Sequence, residues 1–153
     1  MKKIFLYFCF LIIFSCSGFK PVFSTKDLAF YISEIENTDS NKTTKQIITN
    51  IRSYNLDKIN KKNYSLKINS KIKNDVTSRD SKGDPLTYRI TISAEVKIFR
   101  DISNDLFDSI NIIKDFTYNY QTNQFELEQY KRNIVENLII KITEEIILHL
   151  QLM

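Results

Sequence analysis

The sequence predicts an α+β fold, a two-layer sandwich with two helices on one face of a mostly antiparallel β-sheet, in the order β-α-β-β-β-α. Three observations carry that expectation. Residues 64–73 and 86–98 alternate apolar and polar side chains, so each stretch has one face to bury and one to wet. Beyond Asn123, apolar residues recur every three or four positions to the last turn, as on an amphipathic helix. Glycine and proline occur twice each, at Gly18, Pro21, Gly83 and Pro85, and so act as punctuation between elements.

Taken in order, Met1-Lys2-Lys3 is a positive start and residues 4–14 form an apolar run without a charge. That run is too short for a bilayer-spanning helix, which takes about 20 residues, and suits the apolar region of a secretory signal. The small residue Ser15 directly precedes Cys16. This resembles the lipobox of bacterial lipoproteins, in which the thiol is diacylated, the chain is cut before the cysteine and the new amine is acylated. An ordinary cleaved signal and an uncleaved anchor extended to Phe23 are the alternative readings of the same stretch. The expected organisation is therefore a lipoprotein signal peptide over residues 1–15, a lipidated tether over 16–25 and one α+β domain over 26–153. Two or more acyl chains on Cys16 would hold the domain stably at a membrane surface. Cys9 lies in the apolar run and would leave with it, so no disulfide is expected.

Loss of Lys2 and Lys3 with the signal takes the formal charge from +4 to +2, which is not the footprint of a nucleic-acid-binding domain. A hydrophobic share of 42% is enough for a folded core.

The individual elements follow from local pattern. Leu28, Phe30 and Ile32 recur at period two and predict a first strand over residues 28–35. The cluster Asn37-Thr38-Asp39-Ser40-Asn41 supplies helix N-caps, and Ile47, Ile48, Ile51 and Tyr54 then form the apolar stripe of a short helix. Tyr64, Leu66, Ile68 and Ile72 mark the second strand. Residues 74–85 are dense in polar and charged side chains and predict a loop turning through Ser81-Lys82-Gly83-Asp84-Pro85. Leu86, Tyr88, Ile90, Ile92, Ala94, Val96 and Ile98 mark the third strand. A fourth is expected over residues 106–120, with Ile110, Ile112, Phe116, Tyr118 and Tyr120 on one face and Lys114 interrupting it. Asn123, with Glu126 three residues on, opens the closing helix, whose stripe is Leu127, Tyr130, Ile134, Leu138, Ile142 and Ile146.

The motif inventory for catalysis is thin. With Gly only at positions 18 and 83, neither a dinucleotide-binding fingerprint nor a phosphate-binding P-loop can be written. His149 is the sole histidine, which excludes a two-histidine zinc motif, and it is read as a helix-end or surface residue. No cofactor, metal site or enzymatic activity is expected.

Cys16-Ser17-Gly18-Phe19-Lys20-Pro21-Val22-Phe23 resembles the C-G-F-[RKQ]-P-[LV]-[YF] opening of the LPS-assembly lipoprotein (LptE) family, with Ser17 as an extra residue after the cysteine. The last third is also similar: a strand ending in Phe116-Thr117-Tyr118-Asn119 leads through Thr122-Asn123 into a long closing helix. The resemblance implies a lipid-anchored protein at the periplasmic face of the outer membrane. Its partners would be the β-barrel LptD, which it plugs, and lipopolysaccharide, whose insertion into the outer leaflet it assists. A plug would present a wet sheet face, here bearing Lys67, Lys71, Lys73, Arg89 and Lys97; Lys73, Arg79 and Lys82 are the candidates for lipid A phosphates. Two further readings stand beside this one: a structural lipoprotein of a different envelope assembly, and a membrane-tethered periplasmic enzyme, which the missing motifs disfavour.

Overall fold

The structure is a computed structural model that describes residues 28–54, 61–100 and 105–153. Cys16 and the other residues of the expected signal and tether lie outside the described residues. Six elements follow one another: β1 (Phe30–Asn37), α1 (Lys42–Ser53), β2 (Lys62–Arg79), β3 (Pro85–Arg100), β4 (Leu106–Asn119) and α2 (Gln124–Leu152). They build one four-stranded sheet in the order β1-β2-β3-β4, with both helices packed on the same face.

The α+β class and the element order match the sequence expectation. The sheet is mixed, because β1 pairs parallel with β2 across the α1 crossover, while β2–β3 and β3–β4 are antiparallel. The period-two pattern is indifferent to that choice, since either pairing leaves alternate residues on one face. Two boundaries move. The first strand runs from Phe30 to Asn37, and residues 74–79, read as the start of a polar loop, are the outer end of β2. Their polar composition reflects exposure of both faces there, not loss of strand pairing.

The helix-facing side of the sheet supplies Tyr64, Leu66 and Ile68 from β2, Ile90, Ile92, Ala94, Val96 and Ile98 from β3, and Ile112 and Tyr118 from β4. Half of α1 is Thr and Ile, β-branched residues that are weaker helix formers than Ala or Leu. Its stability therefore comes from packing of the fully buried Ile47 and Ile51. Its start is fixed by a polar chain. Asn37 Oδ1 accepts from the Asp39 N–H at 3.1 Å, Asp39 Oδ1 from the Asn41 N–H at 3.2 Å, and Asn41 Oδ1 from the Thr43 N–H at 3.0 Å as the N-cap. Asn41 Nδ2 also donates to the Ser70 carbonyl at 3.1 Å, and the buried hydroxyls of Thr44 and Ser70 meet at 2.7 Å.

α2 begins as expected, with Asn123 Oδ1 accepting from the N–H groups of Phe125 and Glu126. Ile139, Ile142, Ile146, Ile147 and Leu150 are all buried, a stripe wider than one sheet face requires, because α2 contacts α1 on one side and β3 and β4 on the other. Tyr130, counted among the stripe, stays partly exposed at the N-terminal end. Two polar ties bind α2 to the edge strand β4. Lys114, the residue that breaks the apolar alternation, pairs with Glu145, and His149 Nε2 lies 2.7 Å from Asp108 Oδ2.

Two predictions follow from these contacts. Ser70→Ala leaves the Thr44 hydroxyl buried without its partner and should cost about 1–3 kcal/mol in a denaturant titration. Adding Thr44→Val should recover most of that loss, and an undiminished deficit in the double variant would assign the effect elsewhere. The hydrogen bond from His149 and that from the Ser109 N–H hold the Asp108 carboxyl below the ordinary aspartate range. A depressed carboxylate stabilises the fold above its unfolded-state pKa and loses that contribution as pH falls through the folded value. Thermal melts between about pH 4 and pH 2 should therefore fall less steeply for Asp108→Asn than for the parent.

Candidate functional site at the free end of the β2–β3 hairpin

The N-terminus of α1 sits over Ser70, so β2 from residue 71 onward carries no helix above it. The outer half of β2 thus forms an uncovered arm with the tip of β3; β4 flanks β3 as far as Thr87, and Ile90 and Ile92 of β3 stay in the core. Ile72, Val76 and Leu86 lie exposed on the helix-facing side of that arm. Ile72 stands opposite Ile92 and Val76 opposite Tyr88, on the core-facing side, but both lie past Ser70, where α1 begins. Period two puts Ile72 with the buried apolar residues of β2, yet it is exposed because no helix covers it. The continued period two through Val76 was the available signal.

At the arm's tip the turn is closed by Asp80. Its Oδ1 accepts from the N–H groups of Lys82 and Asp84, each at 2.8 Å, and Gly83 takes a φ of +90° that a side chain would strain. Arg79, the last residue of β2, donates from Nη1 to the Gly83 carbonyl at 2.8 Å. The structure thus brings Arg79 and Lys82 onto one rigid turn. Lys73 lies six residues back along β2, about 20 Å away at strand spacing, and faces the uncovered side of the sheet with Lys67 and Lys71. Val76, Ser78 and Arg79 are separated by register shifts, which sharpen the local twist of the arm.

The uncovered face is polar across β2, β3 and β4. Three of its five basic side chains are paired: Lys67 with Glu36 at 2.9 Å, Arg89 with Asp115 at 3.7 Å and Lys97 with Glu95 at 3.5 Å. Lys71 and Lys73 have no ion-pair partner among the described residues. A shallow concavity of about 500 Å³ opens on this face, lined by Asn69, Lys71, Ser93, Glu95, Asn111 and Ile113. Between arm and helices lies an aromatic set. Tyr88 stacks on Tyr118 with centroids 5.6 Å apart, Tyr130 meets Tyr118 edge-on at 6.3 Å, and the Tyr118 hydroxyl donates to Asn74 Oδ1. Nearby on α2, the hydrogen bond from Lys131 to Glu128 at 2.6 Å holds that ammonium above the ordinary lysine range.

No cluster of metal-ligating side chains occurs among the described residues, and none of their helices is long and apolar enough to cross a membrane.

No protein-family model matches the chain, and no curated protein matches it by sequence. Its fold does match solved structures. The chain is similar to rare lipoprotein B from Shewanella oneidensis, with a TM-score of 0.60 and 12% identity over 78% of this chain and 91% of that one. It is similar to an uncharacterized lipoprotein B from Nitrosomonas europaea, with a TM-score of 0.63 and 13% identity over 85% and 88% of the two chains. It is also similar to a minor lipoprotein from Acinetobacter baumannii, with a TM-score of 0.55 and 15% identity over 80% and 94%. The fold is that of these lipoproteins. At such identities no residue-level correspondence is carried across.

Proposed function

We propose that the protein is an outer-membrane lipoprotein, anchored through Cys16, that plugs the β-barrel LptD, stabilises it and assists the insertion of lipopolysaccharide into the outer leaflet. The observation that carries this reading is the fold match, which extends over nine-tenths of the S. oneidensis rare lipoprotein B chain. It joins an opening, Cys16-Ser17-Gly18-Phe19-Lys20-Pro21, that resembles the LPS-assembly lipoprotein family.

The geometry supports the two halves of that role differently. A barrel lumen is polar, and the uncovered sheet face offers hydroxyls, amides and three neutralised cations, with Lys71 and Lys73 left for partner groups. An anionic lipid headgroup needs unsatisfied cations, and two lie together at the tip of the arm, where Lys82 is exposed and Arg79 keeps guanidinium donors beyond the one given to Gly83. The face is therefore assigned to protein and the tip to phosphate.

Affinity purification from detergent-solubilised envelopes should recover LptD with this chain; recovery of a different barrel in its place would sink the plug assignment. Mass spectrometry of the purified N-terminus should show an acylated Cys16. The pair Arg79→Glu and Lys82→Glu should weaken lipopolysaccharide binding. Because both residues are exposed, it should change stability by no more than about 0.5 kcal/mol. Unaltered binding would remove the tip from the site.

A further inference from the structure

The end of the molecule opposite the arm carries apolar side chains that neither the core nor the proposed plug face uses. The described chain starts at Leu28, which is buried, and the next residue, Ala29, donates its N–H to Gln151 Oε1 in the last turn of α2 at 3.1 Å. Whatever precedes Leu28 therefore joins the domain beside the C-terminal end of α2. The start of β4 lies at the same end, because the Asp108–His149 bond pins it to that turn. Around this junction Leu106 is 57% exposed and Leu152 is 78% exposed, with Phe107 and Leu148 also open to solvent. Leu148 and Leu152 are one helical turn apart and share a face of α2. Leu106 and Phe107 immediately precede Asp108 on β4.

Cations border these apolar groups. The Arg100 guanidinium sits 3.8 Å from the centre of the Phe107 ring, and Lys62 Nζ donates to the Met153 carbonyl at 2.7 Å. Among the described residues Asp105 is an exposed carboxylate beside them, while Asp108 is occupied by His149. An exposed aliphatic and aromatic cluster edged by long cationic side chains is the arrangement that seats a protein at a lipid–water interface, with apolar groups among acyl chains and ammonium or guanidinium groups at phosphate level.

We propose that this end of the domain docks onto the bilayer that holds the acyl chains of Cys16, with Leu106, Phe107, Leu148 and Leu152 entering the interface and Lys62 and Arg100 meeting lipid phosphates. The proposal rests on the anchoring of Cys16. Eleven residues lie between Cys16 and Leu28, a reach of about 40 Å at most, so the tether brings this end nearest to the membrane. Tethering raises the local concentration of lipid to the point where four side chains suffice to keep the domain seated. The consequence is orientation: the arm bearing Arg79 and Lys82 is held pointing away from the anchoring leaflet.

The chain contains no tryptophan, so single reporters can be read without background. Full-length protein carrying Leu152→Trp, Leu106→Trp or, at the far end, Leu86→Trp is purified from envelopes and reconstituted into vesicles of phosphatidylethanolamine and phosphatidylglycerol containing brominated acyl chains. The Leu152→Trp and Leu106→Trp reporters should shift to the blue and be quenched several-fold more than Leu86→Trp. Equal quenching at both ends, with Cys16 acylated in the mass spectrum, would overturn the docking while leaving the anchor intact. A blue shift that needs added barrel protein and shows no bromine quenching would assign the patch to a protein partner and likewise overturn it. An unmodified Cys16 in the same sample would overturn the anchor and this proposal together.

Discussion

The position of Ser70 determines the shape of this molecule. It is a buried polar residue on the core-facing side of β2, and Asp39, Asn41 and Thr44 converge on it with backbone and side-chain hydrogen bonds. Those bonds fix the start of α1 over one point of the strand, which means that the helix layer begins there and the sheet does not end there. β2 continues for nine more residues to Arg79. Because an unsatisfied buried hydroxyl costs more than its hydrogen bond contributes, the network resists sliding of the helix along the strand and keeps the arm uncovered.

On the other flank, α2 solves a different problem. It packs simultaneously on α1 and on β3 and β4, so its buried stripe widens toward the C-terminus. Its ties to β4 through Lys114–Glu145 and Asp108–His149 are partly exposed. Pairs of that kind contribute little energy, but they discriminate between registers. A slip of one residue would send both charged side chains to the opposite face of an edge strand. The sheet therefore has its crossover edge set by a polar network under α1 and its free edge set by one ion pair and one histidine–carboxylate hydrogen bond under α2.

These two solutions place chemistry at opposite ends. One end is a rigid cationic turn on an uncovered arm; the other joins the preceding chain beside a cluster of exposed Leu and Phe. Between them lies a face whose charges are largely paired with each other. The proposed role, with one end held at a membrane and the rest inserted in a polar lumen, would call for that division of surface. Side-wall cations would need partners there, since a lone charge buried against a partner costs several kcal/mol.

Much of this was legible in the sequence. Period two in residues 64–73 and 86–98, the N-caps Asn41 and Asn123, and the three-to-four spacing of α2 identify the elements, their order and their buried faces, because each depends on local geometry alone. The resemblance around Cys16 was equally a matter of local residues. Tertiary structure decided what depends on which elements meet. Parallel pairing of β1 with β2, the strand character of residues 74–79, and the neutralisation of Lys67 by Glu36 and of Arg89 by Asp115 all arise from neighbours distant in sequence. A polar stretch reads as a loop when a covering helix is assumed to follow every strand. Here the helix stops at Ser70, and the strand goes on into water.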